Sequence, residues 1–151
     1  NDEEVYYYFL NRFDEDEVAD LIVAFRDSMG KPLCIEWGII YESSNGGYGW
    51  QHIDEKQHLE KLGEVCKKLG FDDNLHSIFN LIYEFITQGE RVPAKKNGFI
   101  YKLTKNVKMK RNIITEQKLM LYLLEDSGFV RTLYMPNSSL NKLEIAGEYK
   151  K

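Results

Sequence analysis

The hydrophobic period changes once along this chain, and that change limits the folds open to it. Before Pro93 the apolar residues recur mostly at helical spacing, and after it they alternate. The clearest helix runs through Leu75, Ile78, Phe79, Ile82, Phe85 and Ile86, which form one stripe. Asp72, Asp73 or Asn74 caps its start, and Gly89 fits its exit. Leu59, Leu62, Cys66 and Leu69 make a second apolar face that ends at Gly70. Nearer the start, Val18, Leu21, Ile22, Phe25 and Met29 predict a helix stopped by Gly30 and Pro32, with a shorter helix over 5–13 beside it. Leu33 to Tyr41 is rich in β-formers and predicts a strand. Beyond Pro93 four short strands are expected, over Phe99–Thr104, Val107–Thr115, Lys118–Glu125 and Phe129–Met135. Lys105-Asn106, Glu116-Gln117 and Asp126-Ser127-Gly128 supply the turns. Connections this short make antiparallel neighbours. The expected fold is α+β, with N-terminal helices packed on a C-terminal four- to five-stranded antiparallel sheet.

A chain of 151 residues, 43% of them apolar, suits one domain with a sizeable core. It divides into an N-terminal helical segment (1–30), a core (31–136) and a polar tail with few anchors (137–151). No apolar run is long enough to span a bilayer, and Asn1 to Glu4 are the opposite of a signal peptide's basic start. A soluble protein, or a piece of a larger secreted one, is expected. Cys34 and Cys66 lack metal or redox spacing; buried free thiols are the first reading and a single disulfide the second.

Charge is unevenly spread. Residues 1–30 carry nine acids against two bases, whereas 91–151 carry thirteen bases against five acids. Nine bases fall between Arg91 and Lys118 with only Glu116 opposing them. A polyanion, or an acidic partner, is therefore expected at the C-terminal third. Lys102, Lys105, Lys108, Lys110 and Arg111 are its densest part, and Lys108 and Lys110 alternate with apolar neighbours as on one cationic strand face. The competing reading is a solvated strand edge guarded by lysines.

The segment richest in chemistry is Asn45-Gly46-Gly47-Tyr48-Gly49-Trp50-Gln51-His52-Ile53. Its glycines allow close backbone approach, and His52 follows at the start of a predicted helix, where an imidazole suits proton transfer near neutral pH. Trp50 and Tyr48 offer faces for stacking an unpaired base. Other chemistries lack their patterns. His52 and His58 do not have the spacing of a helical zinc protease. Glu36, Glu42, Asp54 and Glu55 have no two-metal arrangement, and no phosphate-binding P-loop or dinucleotide fingerprint is present.

The run Gly46-Gly47-Tyr48-Gly49-Trp50-Gln51-His52-Ile53, after the strand ending Trp37-Gly38-Ile39-Ile40, resembles the glycine–histidine motif of toxin nucleases in the barnase, EndoU, colicin and RelE-like (BECR) ribonuclease group, in particular phage- and contact-dependent growth inhibition-type toxin domains. Phe129-Val130-Arg131-Thr132-Leu133-Tyr134 resembles the late strand that completes their site. The likeness covers roughly residues 31–136 in the same order. It implies a metal-independent endoribonuclease toxin, with no cofactor, in which His52, Arg131, Thr132 and Tyr134 are catalytic and Trp50, Lys105, Lys108, Lys110 and Arg111 bind substrate. The resemblance also implies cleavage of RNA, with tRNA as the expected substrate, delivery as part of a larger secreted protein, action in a target cell's cytoplasm, and a cognate immunity protein. Neither DNA nor a membrane is an expected partner. A second histidine in the group follows the first by about five residues; here His58 follows by six, and a surface place on its helix is expected, as for His76. The 2′-hydroxyl of RNA is its own nucleophile, so a proton carrier and groups that hold the phosphate suffice. On a regular strand Thr132 and Tyr134 share one face and Arg131 takes the other, so the three meet only if the strand is bulged or strongly twisted. The alternative to an enzyme is a non-catalytic protein-binding module, such as an immunity or adaptor protein, to which the acidic N-terminal third lends weight.

Overall fold

The structure is a computed structural model and describes residues 2–11, 21–40, 47–55, 58–109, 114–135 and 145–148. Helix α1 (Glu3–Leu10) begins where the Asp2 carboxylate accepts the Val5 amide at 3.2 Å, and it buries Val5 and Phe9, one turn apart. Strands β1 (Leu21–Arg26) and β2 (Pro32–Glu36) pair antiparallel around a turn organised by Asp27, whose Oδ1 accepts the Met29 and Lys31 amides, each at 2.9 Å. Segment 21–26 is thus a strand, against the helix expected there. Val23, Ala24 and Phe25 are all buried while Met29 is 65% exposed. A strand covered on both faces reads as an unbroken apolar run, in which helical spacing arises by chance.

Strands β3 (Ile39–Ile40) and β4 (Gly47–Tyr48) form a small separate ladder. Three helices follow: α2 (Gly49–Glu55), α3 (His58–Lys68) and α4 (Leu75–Gln88). Asn74 caps α4 by accepting the Ser77 amide at 2.9 Å, and its stripe buries Ile78, Leu81, Ile82, Phe85 and Ile86. The rest is β5 (Glu90–Pro93), β6 (Phe99–Met109), β7 (Ile114–Asp126), β8 (Phe129–Tyr134) and β9 (Ile145–Glu148). The first three strands expected from Phe99 onward are two longer ones, β6 and β7, the expected Phe129–Met135 strand is β8, and the tail adds β9. Lys105-Asn106 and Glu116-Gln117 are not turns: they face each other across the β6–β7 ladder. Neither pair contains the glycine a tight turn favours, and Asn106 and Glu116 are on an exposed strand face, while Lys105 is buried. Part of the tail expected to lack anchors forms β9, which pairs with β6.

The fold is α+β. The sheet runs β1-β2-β8-β7-β6-β5, with β9 joining β6 on the side that β5 occupies further along. It is mixed, and larger than a four- to five-stranded antiparallel sheet, because the N-terminal hairpin adds two strands and β2 lies parallel to β8. Helices α2, α3 and α4 cover one face, over a core that includes Phe25, Leu33, Ile35, Tyr101, Leu119, Leu121, Leu123, Val130 and Leu133. Helix α1 covers part of the other face, where Val5 and Phe9 meet Ala24, Cys34 and Phe129. Cys34 and Cys66 belong to these two different clusters and are both free, so no disulfide joins them. Burial pushes the Cys66 thiol up to about 11. No helix among the described residues is long and apolar enough to cross a membrane.

Candidate active site

The site begins with a glycine that the backbone demands. Gly49 opens α2 at φ +77°, and a Cβ there would lie 2.7 Å from the Glu36 carbonyl oxygen and 2.8 Å from the Gly38 Cα. The close approach lets Gln51 tie down the helix start. Its amide donates to the Trp37 carbonyl and its Nε2 to the Gly38 carbonyl, each at 2.9 Å. Trp50 and Ile53 enter the core, and the half-buried His52 lies between them in sequence with its Nδ1 shielded from solvent. The helix that carries His52 packs against both β2 and β8. Those two strands pair parallel, with Cys34 opposite Phe129.

Strand β8 carries a bulge, one of the irregularities that would let Arg131, Thr132 and Tyr134 share a side. Leu124 pairs with Thr132 and Glu125 with Val130, which leaves Arg131 as the extra residue. Val130 and Leu133 are both fully buried in the large core, while Arg131 and Thr132 between them are half-buried. The bulge therefore turns Arg131 to the same side as Thr132 and Tyr134. The Thr132 Oγ1 is buried and has no hydrogen-bond partner among the described residues. A hydroxyl left in that state is destabilising by about 1–3 kcal/mol, which a ligand oxygen would relieve. Arg131 meets Asp126 at 3.5 Å, a pair whose side chains are 42% and 69% exposed.

Three rings extend the site. His58 stacks on Tyr134 with ring centres 5.2 Å apart and planes at 28°, and Tyr134 meets its register partner Tyr122 at 4.9 Å. Tyr122 donates its hydroxyl to the Asn97 carbonyl at 2.6 Å. Burial and the neighbouring Tyr134 push the Tyr122 phenol above its usual range, which keeps it protonated. His58 is thus half-buried and part of this cluster, not the surface residue expected. His76 is at the surface, where it meets Asn80 at 3.2 Å. Register carries the same face onward: Ile100 opposes Tyr122, Lys102 opposes Met120, and Thr104 opposes Lys118.

Two expected substrate-binding residues face the wrong way. Trp50 is only 8% exposed and packs on Phe79 at 5.3 Å, because it lies on the apolar side of α2 and offers no open face to a base. Lys105 is buried and its Nζ meets Glu84 Oε1 of α4 at 2.7 Å. Strand β6 continues through it, so the pleat turns Tyr101, Leu103 and Lys105 inward together. Lys108 lies in β6 opposite Ile114, and only its backbone is described. Lys110 and Arg111 lie outside the described residues. Among the residues whose side chains are described, the cations on the outward face of the β6–β7 ladder are Lys102 and Lys118, of which the sequence singled out only Lys102. Tyr122 also escaped the sequence reading, because only the bulge in β8 makes Tyr134 its partner.

Among the described residues no three His, Cys, Asp or Glu side chains are grouped to hold a metal ion. Comparison with known proteins finds no family that matches the chain and no curated protein that matches it.

Proposed function

We propose that this chain is an endoribonuclease that cuts RNA by attack of the substrate's own 2′-hydroxyl, without a metal. The observation that carries this reading is the bulge at Arg131, which brings a guanidinium, a partnerless buried hydroxyl and a phenol to one side of β8 beside the helix of His52. In the reaction an imidazole takes the 2′-hydroxyl proton and the 2′-oxygen bonds to phosphorus. The P–O5′ bond then breaks and the 5′-oxygen leaves with a proton, giving a 2′,3′-cyclic phosphate. His52 carries protons; Thr132 donates to a phosphate oxygen; Arg131 offsets the charge developing there. Tyr134 orients the phosphate, and His58 is a positioning residue that holds the Tyr134 ring by stacking.

Structured RNA such as tRNA is the proposed substrate, met in the cytoplasm of a target cell after delivery with a larger secreted protein. An acidic immunity protein covering Lys102, Lys118 and Arg131 is the proposed partner. The test is the chemistry of the product. A tRNA cut by the protein is expected to end in a 2′,3′-cyclic phosphate, and a single 2′-deoxy substitution at the cut position is expected to abolish cleavage there. A 3′-hydroxyl product, or cutting that survives the 2′-deoxy substitution, would overturn the mechanism. Intact RNA beside tight binding to an unrelated basic protein would favour the binding-module reading.

A further inference from the structure

The chain has two tryptophans, and they divide the work opposite to the way their spacing suggests. Trp50 is in the core, while Trp37 is 50% exposed. Trp37 is also held in place. Its carbonyl accepts the Gln51 amide, the next carbonyl accepts the Gln51 side chain, and the close approach of Gly49 locks residues 36–38 against the start of α2. The exposed indole is therefore carried on a braced segment whose backbone bonds to the residue preceding His52. The exposed half of the indole is a flat apolar face on this braced segment, and such a face suits a planar, uncharged ligand.

We infer that Trp37 is the stacking platform for an unpaired base that flanks the scissile phosphate, which makes single-stranded or looped RNA the substrate class. This rests on the ribonuclease reading above. Duplex RNA keeps its bases stacked on one another and offers none to the indole, so the platform selects against it.

The experiment uses the full chain and a stem–loop RNA cut in its loop. Trp37→Ala should raise KM about tenfold or more, as expected for loss of one base–aromatic stack, with kcat close to wild type. Trp37→Phe should recover most of the loss. Replacing one loop nucleotide beside the cut by an abasic nucleotide should impose the same KM penalty on the wild type and almost none on Trp37→Ala. A wild-type KM for Trp37→Ala, or an abasic penalty that persists in that variant, would overturn the inference while leaving the ribonuclease reading intact. The two are also separable without turnover. A 2′-O-methyl version of the stem–loop, which cannot be cut, should quench tryptophan emission in the wild type but not in Trp37→Phe. Quenching without any cleavage would retain the platform and sink the enzyme; equal quenching in both proteins would sink the platform.

Discussion

Thr132 and Asp27 show the two uses a buried polar side chain can have. The Thr132 hydroxyl satisfies nothing among the described residues, so replacing it with valine removes a burden from the fold. Thr132→Val is expected to leave the melting temperature unchanged or higher while slowing RNA cleavage about 100-fold, as loss of one oxyanion donor does in other enzymes. Parallel loss of stability and activity would instead make Thr132 structural. Asp27 is the converse. Its side chain is wholly buried, its Oδ2 takes the Arg91 Nη1 at 2.6 Å and the Tyr101 hydroxyl at 2.9 Å, and its Oδ1 takes two amides. Burial, with Asp27 next to it, pushes the Tyr101 phenol well above its usual range, so it stays a donor. Asp27→Ala strands a cation, a phenol and two amides, and denaturant unfolding should show a loss of about 3 kcal/mol or more. The Cys66 thiol, raised to about 11, is expected to resist alkylation at pH 8 until the protein is unfolded, because its thiolate is scarce there.

At the level of elements, α2 is placed by backbone contact and β8 by an irregularity. Gly49→Ala would force a Cβ into the Glu36 carbonyl at a positive φ, and the helix must then move off residues 36–38. Activity and stability should fall together, by at least about 1–2 kcal/mol in unfolding experiments. Deleting Arg131 should restore a regular ladder with Thr132 still opposite Leu124 and Tyr134 still opposite Tyr122, so that activity falls through loss of the guanidinium while the sheet persists. The helices α3 and α4 were legible from sequence because each buries a single stripe, and the apolar period is then the helical one. Strand β1 was not, since Phe25 and Ala24 are buried on opposite sides of the sheet and leave no alternation to read. The hairpin turn was legible: Ser127 and Gly128 both take positive φ, and Gly128 is close to Phe9 and Pro32. Counting outward from that turn, however, pairs Tyr122 with Leu133; only the bulge makes its partner Tyr134. A one-residue bulge leaves no mark in composition or period, so the need for it could be inferred from Arg131, Thr132 and Tyr134, but not its position. His52 was legible from the glycines before it. His58 was not, because its stacking on Tyr134 depends on how α3 meets a strand distant in the sequence.

Across the whole molecule the acidic N-terminal third and basic C-terminal third remain the strongest signal for an anionic partner. Folding spends some of that basic charge internally. Lys105 is paired with Glu84 and Arg91 with Asp27. Lys102, Lys118 and Arg131 are on the half-buried or exposed outer face. Reversing Lys102 and Lys118 to glutamate should weaken RNA binding and flatten its salt dependence, by about 0.7 in the log–log slope for each lost phosphate contact on single-stranded RNA. Lys105→Gln should disturb stability instead, since its ammonium is enclosed beside α4.

These scales converge on His52, and the decisive measurement is cleavage of tRNA in EDTA by the wild type and by His52→Ala, both confirmed folded by circular dichroism. Discrete cuts by the wild type, at least about 100-fold slower in His52→Ala, are the predicted result. Intact tRNA with a folded wild type, or cutting undiminished by the substitution, would contradict it.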